Sequence, residues 1–129
     1  MTASSTTDVM DLDKAMEAVE ETYEFMLAYA AQGRRTEEDS STSGIRAYLQ
    51  RAETALAVIA AAHIPGDAAQ KFLDVVRGDV AKAGAALRLV LAQPNISSQL
   101  VDNLNASIHL RALLTDLFLL DEALKISAS

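Results

Sequence analysis

The sequence predicts an all-α protein, an antiparallel four-helix bundle that associates through its fourth helix. Composition points there first. Half of the 129 residues are apolar, only 5% are aromatic, and Ala, Leu and Val supply most of the apolar set. Strands favour aromatic and β-branched residues, so this mixture suits helices. Periodicity agrees: four segments are amphipathic at helical spacing, and the first two step their apolar positions alternately by four and three, the spacing of one buried stripe. The connections agree too, because a polar linker and two short turns join those segments, as in an up-and-down bundle.

Residues 1–7 are small and polar without periodicity and are expected to be disordered, leaving 8–126 as one helical domain and 127–129 as a tail. The first helix is expected from Asp8 to Gln32, with Leu12, Met16, Val19, Tyr23, Met26 and Ala30 on its stripe and Gly33 as its stop. Residues 34–43, RRTEEDSSTS, have no apolar anchor and form the linker. The second helix is expected from Gly44 to His63, capped by Ser43, with Ile45, Leu49, Ala52, Leu56 and Ile59 inward. Pro65 and Gly66 end it.

Asp67 and Gln70 fit a capping box at the start of the third helix, which runs to Ala92 with Phe72, Val76, Val80, Ala83, Leu87 and Val90 on one face. Its middle is unusually small, including Gly78 and Gly84. Mid-helix glycine costs about 1 kcal/mol relative to alanine, so close approach of a neighbouring helix is expected there. The fourth helix is expected from a cap at Asn95 or Ser97 to Ile126 as one continuous element.

That fourth helix has two apolar faces when wound at about 100° per residue. Leu100, Val101, Leu104 and Ile108 hold one wedge, which Phe118 and Leu119 continue. Leu110, Leu113, Leu114, Leu117, Leu120 and Leu124 sweep the other side. A helix apolar on both sides must be covered on both sides. Leu110, Leu113, Leu117, Leu120 and Leu124 are therefore expected to form a protein interface, most simply in a two-fold homodimer. A splayed bundle wrapped around a central helix is the other arrangement that covers them. Arg111 falls inside the first wedge and would need a carboxylate partner there.

Net charge is −7, and the eleven Lys and Arg residues are scattered, so nucleic-acid binding is not expected. Without cysteine there is no disulfide framework, thiol chemistry or Cys-ligated metal. No signal-like N-terminus and no apolar run of membrane-spanning length are present, so no membrane association and a cytoplasmic setting are expected.

Asp13, Glu17, Glu20 and Glu24 step by four, three and four, placing four carboxylates in one strip of the first helix. A solvated acidic face explains them, and so does a docking strip for a basic partner or a divalent cation. Carboxylate-bridged metal bundles require Glu-x-x-His motifs. Ala60 and Ala106 stand three residues before His63 and His109, so neither a resident metal nor any other cofactor is expected. His63, at the end of the second helix, suits a structural role near the helix dipole's negative end.

His109 lies on a polar side with Asp102, Asn105 and Asp116 and is a speculative phosphoacceptor. The stretch SIHLRALLT is similar in part to the phosphoacceptor helix of sensor kinases, close to Ser-His-Glu-Leu-Arg-Thr-Pro-Leu-Thr. Aligning His109, however, puts Leu110 at the acidic position, and the proline is absent. No phosphate-binding loop or nucleophile elbow occurs, so an enzyme is not expected. The leading expectation is a small acidic protein acting through protein–protein interaction, as an adaptor, regulator or assembly factor. A small-ligand-binding module is the alternative, with a pocket between the small-residue middle of the third helix and Met16, Tyr23, Met26 and Phe72.

Overall fold

A computed structural model describes residues 3–37 and 44–128. It is all-helical, with five helices: α1 (Ala3–Ala31), α2 (Ile45–Ala61), α3 (Asp67–Leu91), α4 (Ser98–Ala106) and α5 (Ile108–Ala128). Met1, Thr2 and Ser129 lie outside the described residues, as do 38–43 of the expected linker, including the expected cap Ser43. With no Pro or Gly to interrupt it, α1 starts at Ala3, taking in most of the segment expected to be disordered. At the other end α5 passes Ile126 to reach Ala128.

The expected fourth helix is two helices. Ser107 between them is extended, with φ −62° and ψ 129°. Its N–H donates to the Leu104 carbonyl, and its own carbonyl accepts from Arg111 N–H, so one residue ends α4 and starts α5. The local sequence accounts for the break. Asn103, Asn105 and Ser107 all have modest helix propensity, and Ser is a strong N-cap former. Upstream, Ser97 caps α4 as expected, its hydroxyl accepting from Leu100 N–H at 3.1 Å.

In the packing, α1 lies against α2 and α4, while α3 lies against α2 and α5; α1 touches α5 only sparsely. The core is drawn from every helix, with Met16, Met26, Leu49, Ile59, Leu73, Val76, Val101, Leu113, Leu117 and Leu120 among its fully buried members. Burial of Tyr29 departs from the expected stripe, in which its neighbour Ala30 pointed inward. Its hydroxyl donates to the Ile96 carbonyl at 2.6 Å, and Ser98 Oγ donates to its carbonyl at 2.7 Å. These bonds fasten the end of α1 to the start of α4.

Two further expectations are corrected. The capping box at Asp67 is absent: the N-cap is Gly66, whose φ of 97° favours glycine. Asp67 instead pairs with Lys71 at 3.3 Å, and Gln70 turns back to accept from Ile64 N–H at 3.0 Å. The glycines of α3 do not accommodate a neighbouring helix. A Cβ at Gly78 would meet nothing within 4 Å, and the nearest atoms to one at Gly84 belong to the flexible Arg88 guanidinium of the same helix.

Candidate functional site

The break at Ser107 decides what the leucines of α5 do. Leu110, Leu113, Leu117 and Leu120 are all buried within this one chain, so the expected interface residues are core residues. Once α5 departs from the direction of α4, its leucine face turns inward against α3. Ile108, Phe118 and Leu119, expected to continue the core wedge of α4, are left exposed. Arg111 is exposed as well, so the partner a buried guanidinium would require is not needed. The inner and outer faces of α5 are the reverse of those expected.

Leu124, the fifth expected interface residue, is half-buried and lines a groove of about 550 Å³. The sparse contact between α1 and α5 leaves this space open near the start of α1 and the end of α5. Its apolar lining comes from Leu12 and Met16 of α1, Leu124 of α5, and Ile64, Pro65 and Ala69 around the α2–α3 turn. Its acidic lining comes from Asp13, Glu17 and Glu20 of α1 with Asp121 of α5, against the single ammonium of Lys125.

The turn that forms one wall is held firmly. Arg77 of α3 donates to the carbonyls of Ala60 and Ala62 at 2.7 and 2.6 Å, satisfying acceptors left over at the end of α2. Asp74 pairs with the same guanidinium. With Gln70 receiving Ile64 N–H, the apolar turn is fixed at both ends. His63, next to this turn, is exposed.

Three of the four strip carboxylates therefore meet the groove, and Glu24 does not line it. Glu20 is half-buried, and burial pushes its carboxyl above the ordinary range, with Asp121, Glu17 and Glu24 adding repulsion and Lys125 offsetting part of it. Lys125 is itself held above its usual value by Asp121, 3.1 Å away. An excess of carboxylates beside an apolar surface is a setting that an arriving cation would relieve. Among the described residues, no three of His, Asp or Glu are grouped as a metal-ligand set. Reading the sequence missed Asp121 and Lys125, although their i,i+4 spacing marks an ion pair on one helical face. It also missed the Ile64–Pro65 wall, which looked only like punctuation.

The remaining expected sites come apart. His109 is exposed on α5. Asn105 belongs to a different helix and is buried, with neither end of its side-chain amide hydrogen-bonded. The interior space where a ligand pocket was expected, beside Ala83 and Leu87, amounts to about 20 Å³, room for about one water molecule and not for a larger ligand.

Asp116 is turned towards Asp79 of α3. One Asp79 oxygen is shielded from solvent. Burial, the hydrogen bond to Asp116 and its charge raise the Asp79 carboxyl from 3.8 to about 6, with Lys82 opposing. A carboxyl raised by folding contributes stability that is complete below its unfolded pKa and is lost as pH rises through the folded value. The Asp79→Asn variant is therefore expected to be more stable than wild type above about pH 7, by about 1 kcal/mol after allowance for solvent screening. Urea titrations across pH should show that advantage shrinking as pH falls from about 7 to 4. A difference independent of pH would contradict the assignment.

No helix among the described residues is long and apolar enough to cross a membrane. No protein-family model, no curated protein and no solved structure matches the chain.

Proposed function

We propose that the protein acts by binding another protein, taking a basic amphipathic segment of its partner into the acid-rimmed groove between α1 and α5. The observation that carries this reading is the meeting of an apolar floor with four carboxylates and one ammonium in a single concavity. An amphipathic helix laid in such a groove buries its apolar side on Ile64, Pro65 and Leu124, while its Lys or Arg residues reach the rim. The net charge of −7 favours encounter with a cationic segment over longer range. In the same reading α4 and α5 together fill the fourth position of an antiparallel bundle, and the protein serves as a cytoplasmic adaptor, regulator or assembly factor.

The test is a fluorescence-anisotropy titration with a synthetic amphipathic Leu/Lys peptide at physiological ionic strength. Saturable binding is expected, weakened about tenfold or more by Glu17→Lys with Glu20→Lys. Glu53→Lys with Asp102→Lys changes net charge equally but lies outside the groove, and should weaken binding by no more than about twofold. Equal losses in both double variants would reduce the effect to overall charge and contradict the groove. Absence of saturable binding would contradict it as well.

A further inference from the structure

The outward side of α5 carries large exposed apolar side chains at intervals from its first turn to its last. Ile108, Leu119 and Ile126 are 74%, 59% and 66% exposed. At about 100° per residue, these three and Thr115 lie within roughly 20° of the direction opposite the buried leucines. Ala112 and Ala123 border the same line, and Arg111, Phe118 and Glu122 form one flank of it. This is where a helix with one buried face would carry its charges. The stripe is separate from the groove, whose α5 residues Asp121, Leu124 and Lys125 lie on the inward side or at its edge.

The spacing along the stripe is self-complementary. Ile108 and Ile126 are equally far from position 117 in opposite directions, and so are Thr115 and Leu119. Arg111 and Glu122 are equidistant from a point half a residue away. In an antiparallel helix pair related by a two-fold axis, the same flank of each helix lies on the same side. An axis at the height of Leu117 then sets Ile108 against Ile126 of the second copy and Thr115 against Leu119. It also brings Arg111 opposite Glu122, twice by symmetry.

We infer that the outer face of α5 is an interface with a second copy of this chain, formed as an antiparallel α5–α5 pair. The stripe is about 27 Å long and would bury on the order of 1,000 Å² in total, at the small end of specific interfaces. A dissociation constant in the micromolar range is therefore expected. Of the two apolar faces expected from the sequence, the one expected to form an interface is thus the core face, and the other carries the interface.

Sedimentation velocity from about 10 to about 500 μM at physiological ionic strength tests the pairing across that range. The mass is expected to rise from 13.8 kDa towards twice that value. Leu119→Glu should hold the protein at the single-chain mass with its circular dichroism unchanged, since the position is exposed. Arg111→Glu and Glu122→Arg should each weaken association about tenfold, and the double variant should restore it. A single-chain mass at the highest concentration would overturn the inference. So would association unaffected by Leu119→Glu, or a double charge swap that restores nothing.

Discussion

Leu113→Ala is expected to destabilise the protein by about 3 to 5 kcal/mol, the range for removing a fully buried leucine from a packed core. Leu113 has no exposed surface, and it borders a gap of about 20 Å³ that Val19, Met26, Ala52 and Leu87 also line. Side chains already flanking a gap gain little by shifting, so most of the new cavity stays empty. For a domain with typical stability of about 5–15 kcal/mol, this is a large fraction of the total. Leu119→Ala, two turns away on the same helix, should change stability by no more than about 0.5 kcal/mol at protein concentrations where single chains prevail. Urea denaturation of the two variants reads the difference directly. A folded Leu113→Asp variant with altered assembly would contradict the inward orientation of α5.

Arg46→Met carries the second large effect, about 2 kcal/mol, because one guanidinium joins three parts of the chain. Its Nε and Nη2 donate to Glu37 at 3.1 and 2.8 Å, Nη1 to the Leu91 carbonyl at 2.8 Å, and Nη2 to the Gln93 carbonyl at 2.9 Å. Glu37 in turn accepts Ile96 N–H at 2.8 Å. Methionine keeps much of the aliphatic stem and removes every donor, leaving carbonyls at the end of α3 without this partner. Arg46→Lys should recover only part of the loss, since one ammonium does not reproduce the planar fork.

The pH dependence of that loss has a definite sign. The hydrogen bond from Arg46 holds Glu37 below the ordinary carboxylate range, more than burial raises it, and Ile96 N–H adds to the lowering. A depressed carboxyl contributes stability that is present above its unfolded pKa and is lost as pH falls through the folded value. The gap between wild type and Arg46→Met should therefore narrow on acidification, as seen in urea midpoints from about pH 7 to 3. A gap that widens would contradict the role given to the Glu37 pair.

Much of the helical pattern was legible because periodicity reports which side of a helix is buried. Leu12, Met16, Val19, Met26, Leu49, Leu56, Ile59, Val76, Val80, Ala83, Leu87 and Val90 are core residues at the expected positions. The fourth segment was misread for a physical reason. A wheel carries its phase across every residue, and one extended residue at Ser107 resets it. Asn103, Asn105 and Ser107 were the available signal, weak helix formers clustered in a segment whose apolar content seemed enough to carry it. With the phase reset, the buried and exposed faces of α5 are the reverse of those expected.

The acidic strip was legible as a row of charges on α1 but not as part of a concavity. Its apolar floor depends on the distance between α1 and α5 and on the α2–α3 turn, neither of which is encoded in a local spacing. Asp13, Glu17 and Glu20 became a candidate site only when Leu124, Asp121 and the Ile64–Pro65 wall were placed beside them.

Mapping the Leu/Lys probe peptide onto the backbone amides by heteronuclear NMR tests the groove most directly. Shifts are expected to cluster at Asp13, Met16, Glu17 and Glu20, at Ile64 and Ala69, and at Asp121, Leu124 and Lys125. Shifts centred elsewhere, or spread over all acidic surface positions without saturation, would contradict the groove as the binding site.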